Sequence, residues 1–171
     1  HLHRVAPPPE ALTDWAPLET PEDGLDLLAR IEAHAPRPTV EWTEGKPLRV
    51  TRPARLQDLA LHIGKKRDWF GLEGELNLEG AQVALSGLLA AIRDGRRYIE
   101  AKDGALVQLD AQLREGLSTL AATLGDKKSI SPAQLRLVDA LEALGARVEA
   151  PPAWSEIARR ARAAEELVAE V

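Results

Sequence analysis

Cysteine is absent from this 171-residue chain, which excludes a disulfide framework, a thiolate nucleophile and cysteine-ligated zinc, and favours an intracellular setting. Methionine is absent too, even at position 1, and His1-Leu2-His3 has neither the basic region nor the apolar stretch of a signal peptide. The chain therefore reads as a piece of something larger. No apolar run approaches the roughly 18 residues that span a bilayer, so no membrane contact is expected. Aromatic residues are scarce, with four Trp, one Tyr and one Phe, so each carries weight in locating a core. Against these shortages stand 44% hydrophobic and 29% charged residues, near globular averages. The length allows burial of roughly two thirds of the surface an unfolded chain exposes, and disorder throughout is excluded.

The formal net charge of -5 argues against a generic nucleic-acid binder, but the charge is unevenly spread. Residues 1–44 hold 3 basic and 9 acidic residues, and residues 45–67 hold 7 basic and 1 acidic. Residues 68–101 hold 3 and 6, and residues 102–171 hold 9 and 11. The positive stretch supplies Arg49, Arg52 and Arg55, then Lys65, Lys66 and Arg67. These six are the candidate nucleic-acid-binding residues, able to neutralise several phosphates but with no means of reading base identity. The competing reading is a solvated surface, since charged hairpin tips and edge strands also keep sheets soluble. Arg96 and Arg97 are weaker candidates, with Tyr98 beside them suited either to stacking on a base or to filling a strand core.

Along the chain, Pro7-Pro8-Pro9 makes Val5 to Leu18 an extended entry. Thr20 can cap a first helix with Pro21 at its first position and Glu22 and Asp23 at the positive end of its dipole. Pro36 and Pro38 close it and favour an extended run, Thr39 to Trp42. The period then becomes two. Leu59, Leu61 and Ile63, then Leu72, Leu76 and Leu78, predict two half-buried strands joined as a hairpin through Gly64 to Asp68, with Trp69 and Phe70 anchoring it in the core. Ser86 is read as the cap of a short helix, Gly87 to Asp94. A second hairpin is expected at Lys102-Asp103-Gly104, between Arg96–Ala101 and Ala105–Leu109. Asp110 caps a helix reaching Leu124, and Ser131-Pro132-Ala133-Gln134 is a capping box for another ending near Leu144. Pro151-Pro152 precedes a final helix, Ser155 to Val171. Its narrow, alanine-rich seam buries little alone, so it is expected to lean on a neighbour.

Chemistry-bearing patterns are few. Gly45-Lys46 is followed by Pro47 and Gly64-Lys65 by Lys66, so there is no P-loop. His1, His3, His34 and His62 have no metal-ligand spacing beyond the terminal pair. Glu73 and Glu75 share one face of a strand, near His62 of its partner, an arrangement open to acid/base work. The wet face of an antiparallel sheet accounts for them more simply, and no nucleophile is tied to them by any motif.

Arg67-Asp68-Trp69-Phe70, the run Val83 to Ile92, Arg96-Arg97-Tyr98-Ile99, Asp103-Gly104 and Pro151-Pro152-Ala153-Trp154 occur in an order and spacing that resembles a known arrangement. It is similar to the accessory region just before the ATPase core of bacterial Swi/Snf-family helicase-like proteins, over about Val40 to Val171. The resemblance implies a parent that couples ATP hydrolysis to movement along duplex DNA, remodelling or displacing bound proteins. The catalytic residues, with ATP and Mg, would belong to lobes beyond these residues. None is carried over, and this chain itself is expected to need no cofactor and no metal. Expected partners are the ATPase lobes of the same chain and duplex DNA, or alternatively an acidic protein recruited through the basic stripe. Placement in the cytoplasm is expected, with nucleoid association open. The fold expectation is α+β: an antiparallel sheet from two β-hairpins, packed with helices and with helical segments at both ends. Residues 1–38 form the entry and first helix, 39–109 the strand-rich part and 110–171 the helical part of one domain.

Overall fold

A computed structural model describes residues 18–36, 38–40, 42, 45–125, 129–131 and 134–169, with side chains through Ala164. The proline run, His1, His3, Trp15, residues 126–128, Pro132 and Val171 lie outside the described residues. Where apolar residues alternate, the chain is extended. β1 (Leu59–Lys65) and β2 (Phe70–Leu78) pair antiparallel from Leu59↔Leu76 to Lys65↔Phe70. This register puts Leu59, Leu61, Ile63, Leu72, Leu76 and Leu78 on one face, and all six are buried. Gly74 opposes Leu61 on that face. A Cβ there would stand 2.6 Å from the Ala60 carbonyl oxygen, so the close approach of the strands requires glycine.

The same alternation corrects one expectation. Phe70 turns inward and is half-buried, but Trp69 does not join it in the core: it falls on the outer face and remains 47% exposed. The inward aromatic partner comes from elsewhere. Trp154 is buried and meets Phe70 edge to face, with ring centroids 5.1 Å apart.

Three short strands complete the main sheet. β3 (Ala81–Ala84) pairs with β2, and β6 (Ser129–Ile130) pairs with the start of β2. β7 (Arg147–Glu149) lies parallel to β1, giving the order β3-β2-β1-β7. The hairpin read from Asp103-Gly104 is present as β4 (Tyr98–Glu100) and β5 (Leu106–Gln108). It forms its own two-stranded sheet. Residues 49–54 run beside it, with the Leu106 N–H donating to the Arg49 carbonyl at 2.8 Å and the Ala54 N–H to the Gln108 carbonyl at 2.7 Å. The α+β class expected from the sequence therefore holds, with the strands divided between two sheets and one parallel pairing added.

Helices cover the inner face of the main sheet. α2 (Leu85–Arg93) begins two residues before the predicted start, with Ala84 rather than Ser86 at its N-cap. The buried series Ala81, Val83, Leu85 carries β3 directly into the helix and leaves Ser86 exposed in the first turn. α3 (Ala111–Leu124) follows the sequence reading: the Asp110 carboxylate accepts from the Leu113 N–H at 2.7 Å, and Leu113, Leu117, Leu120 and Leu124 are buried. At α4 (Leu135–Ala143), Ser131 donates its N–H and hydroxyl to Gln134 Oε1 at 2.6 and 2.7 Å, and the regular helix starts just afterwards. α5 (Pro152–Ala169) starts earlier than Ser155. It leans on the sheet through Trp154 and Ala158, and on α4 through Arg162, whose Nε donates to Asp139 Oδ2 at 3.0 Å. Among the described residues no helix is long and apolar enough to cross a membrane.

α1 (Pro21–Ala33) is attached differently. Its start is the expected one: Thr20 Oγ1 accepts from the Asp23 N–H at 3.2 Å while the Asp23 carboxylate accepts from the Thr20 N–H at 2.8 Å. Its apolar contact is small, Leu28 with Val50 and Tyr98. A polar knot does the rest. The Arg97 N–H and Nε donate to the Glu22 carboxylate at 3.0 and 2.9 Å, and Arg97 Nη1 donates to Asp26 Oδ2 at 2.6 Å. The Tyr98 hydroxyl donates to Asp26 Oδ1 at 2.6 Å, and burial together with this carboxylate raises the phenol's pKa. The Arg97 backbone N–H, against an opposing effect of burial, holds the Glu22 carboxyl below its ordinary 4.5. A lowered folded pKa means that Glu22 stabilises fully above that ordinary value and loses its contribution as pH falls through the folded one. Amide exchange protection in α1 is therefore expected to fall as pH drops below Glu22's ordinary 4.5, while protection in β1 and β2 holds. Glu22→Gln should weaken α1 protection already at neutral pH and flatten that fall.

Candidate nucleic-acid interface

The six basic candidates do not form one stripe. Arg49, Arg52 and Arg55 precede β1, whereas Lys65, Lys66 and Arg67 lie at its far end. Seven residues of strand separate the groups by about 20 Å.

Two of the first group are tied down by carboxylates. Arg49 pairs with Asp103 in the β4–β5 turn and donates to the Glu79 carbonyl at 3.3 Å, joining the tips of two hairpins. Arg52 grips Asp58 with both terminal nitrogens, at 3.0 and 2.8 Å, and the same carboxylate accepts from the Arg55 N–H at 2.9 Å. Asp58 sits in the short 3-10 turn Leu56–Asp58 that leads into β1, and it is 9% exposed. Burial raises its pKa, but the Arg52 guanidinium and the Arg55 N–H outweigh that and leave it below its ordinary value. Arg55 keeps an exposed position at the surface beside this pair. Arg96 pairs with Asp94 at 3.1 Å, and Arg97 is used by the α1 knot.

The second group crowns the β1–β2 hairpin. The Lys66 N–H donates to the Trp69 carbonyl at 2.8 Å, leaving Arg67-Asp68 as the turn. Lys65, Lys66 and Arg67 are exposed, and among the described residues none of them has an ion-pair partner. Three cations thus face one carboxylate, Asp68, at a tip held by continuous strand pairing. Lys66 and Trp69 both point to the outer face. The next rung below them is Gly64↔Gly71, and the one after that His62↔Glu73. The Trp69 Cζ3 atom lies 3.4 Å from where a Gly71 Cβ would be, and Lys66 Cε 3.6 Å, so indole and lysine stem both reach over bare backbone.

Farther along this face stand Glu73 and Glu75, with Glu149 from β7, all exposed. His62 Nδ1 lies 3.7 Å from Glu149 Oε2. The expected grouping of His62 with Glu73 is therefore present, on a wet surface. Among the described residues no group of three or more such side chains is placed to hold a metal ion. Sequence reasoning missed the exposure of Trp69. The signal was available: it is odd-numbered and directly precedes a strand whose even-numbered leucines are buried. Nothing local in the sequence announced that Glu22 and Asp26 would occupy Arg97.

Comparison with protein-family models, with curated proteins and with solved structures finds no match to this chain.

The two basic groups should separate by experiment. Arg52→Ala leaves the buried Asp58 without its main partner and is expected to lower unfolding free energy by about 1–1.5 kcal/mol, screened by water on the arginine side. Lys66→Ala should stay within about 0.5 kcal/mol of the parent chain. Urea denaturation of both variants measures the difference, and equal losses would contradict the division.

Proposed function

We propose that this chain is a non-catalytic accessory domain of a Swi/Snf-type DNA-dependent ATPase, working in the bacterial cytoplasm. It docks on motor lobes that bind ATP and Mg, and it offers DNA phosphates the tip of the β1–β2 hairpin. The observation that carries the reading is the tip itself: Lys65, Lys66 and Arg67 lack ion-pair partners among the described residues, whereas Arg49, Arg52 and Arg97 are each occupied by a carboxylate. Free cations on a rigid projection release phosphate counterions on contact and carry no base preference, which suits a motor that tracks DNA of any sequence. The motor context comes from the resemblance of the ordered motifs, including Asp68-Trp69-Phe70 and Pro151-Pro152-Ala153-Trp154.

A second reading, recruitment of a protein partner, draws support from another place. A hollow of about 400 Å³ between α1 and the segment preceding β1 is lined by Leu28, Val40, Trp42 and the exposed Leu48, with Glu32 and Arg49 at its polar side. An apolar hollow of this kind suits an apolar side chain of a partner.

Reversing the three tip charges, as Lys65→Glu, Lys66→Glu and Arg67→Glu together, should weaken duplex binding equally across sequences. It should also reduce the slope of log affinity against log salt by about 2–3. Equal slopes for the reversed and parent chains would refute the phosphate contact. Deleting this domain from the motor should change DNA-stimulated ATP hydrolysis or translocation. Unchanged rates with unchanged DNA affinity would refute the accessory role.

A further inference from the structure

The hairpin tip carries more than charge. Trp69 stands at the turn just before β2, where the alternation that turns Phe70 inward turns the indole outward, and the ring stays 47% exposed beside cations that have no ion-pair partner among the described residues. Gly64 and Gly71 leave the rung below it without side chains, and the six-membered ring reaches over Gly71. On the other side of this bare rung stands His62, whose Nε2 lies 4.0 Å from the position of a Gly64 Cβ. Gly71 is thereby buried under the indole and the lysine stem, and the indole is approached from the turn end past Lys66 and Arg67.

We propose that Trp69 is a stacking platform for an unpaired base, whose adjoining phosphates meet Lys66 and Arg67. This rests on the phosphate contact proposed above and adds to it a preference for single-stranded over fully paired DNA. Lys66 and Trp69 are cross-strand neighbours with Cβ atoms about 5 Å apart, a separation that one nucleotide bridges from base to phosphate. Stacking tolerates any base because every base has a π face, and it adds to the salt-dependent phosphate term. In an intact duplex the bases stack on one another, and the indole reaches no base face without unpairing. The platform therefore works only on unpaired nucleotides. A role confined to covering Gly71 predicts a stability effect and no such discrimination.

The test compares the parent chain with Trp69→Leu, which keeps apolar cover over Gly71 without a π face, and Trp69→Phe, which keeps a π face. Each is titrated by fluorescence anisotropy against a labelled oligothymidylate and a blunt duplex of equal length, with circular dichroism confirming the fold. Trp69→Leu should lose about 5-fold to 100-fold in affinity for the oligothymidylate and keep its affinity for the duplex. Trp69→Phe should remain within about 3-fold of the parent chain on both, since most of the stacking is preserved. Retention of oligothymidylate affinity by Trp69→Leu, or an equal loss on both ligands, overturns the platform while leaving the phosphate contact standing. Failure of the parent chain to bind either ligand overturns both.

Discussion

The register of β1 on β2 governs which side chains of this protein meet water. Because successive strand residues point to opposite faces, a slip of one position would turn Leu59, Leu61 and Ile63, or Leu72, Leu76 and Leu78, into solvent. Each buried aliphatic side chain is worth about 1.5–3 kcal/mol, so exposing three of them removes a large part of the 5–15 kcal/mol that holds a typical domain folded. No surface interaction competes with that. The positions of His62, Lys66, Trp69, Glu73 and Glu75 on the outer face are consequences of the leucines between them, and the hairpin presents them on a scaffold that cannot easily rotate them inward.

The remaining elements attach to this sheet by two kinds of force. α2, α3, α4 and α5 bury leucines, alanines and Trp154 in one continuous core, an attachment indifferent to charge. α1 shares a smaller apolar cluster, Leu28, Val50 and Tyr98 with the partly buried Leu25, Ala29, Trp42 and Leu106, and is held further by Arg97 and Tyr98 meeting Glu22 and Asp26. Hydrogen bonds to charged groups at half-exposed positions are weaker than aliphatic burial and sensitive to solvent conditions. The molecule thus has a firm body and one helix held by a polar latch, and local opening is expected to begin at the latch.

Much of this was legible in the sequence where a local signal had only one geometric meaning. Thr20-Pro21, Asp110 and Asp103-Gly104 each marked a cap or turn that the structure contains, and leucines at helical spacing gave α3 to the residue. For β7 and the basic residues the deciding interaction came from far along the chain, whereas Ser86 and Trp69 were decided by close neighbours. β7 has three residues, too few for alternation to reveal, and it exists because β1 offers an open edge. Ser86 had the right chemistry for a cap, yet burial of Val83 and Leu85 set the start of α2. The six basic residues looked continuous because they are close in sequence. Strand geometry then drew them to opposite ends of β1, and Asp58 and Asp103 claimed two of them. Trp69 was misplaced by its composition, an aromatic next to Phe70, when parity already pointed it outward.

Charge explains why the tip cations stay available. In a chain with 27 acidic and 22 basic residues, an arginine set within the body readily meets a carboxylate, as Arg49, Arg52, Arg97 and Arg162 do. The β1–β2 turn carries Lys66 and Arg67 beyond the last paired rung of the hairpin, which Lys65 forms with Phe70, and none of these three cations has an ion-pair partner among the described residues. The acidic part of the same outer face begins at Glu73, four strand residues beyond Trp69, or about 13 Å. At physiological ionic strength the screening length is about 8 Å, so Glu73 and Glu75 weaken the positive field at the turn only slightly. Beyond that distance the face turns negative and repels phosphate. On the proposed reading, a nucleic-acid strand would therefore be held to the few nucleotides that the turn, Lys66 and the indole can reach, and would be kept from spreading along the sheet.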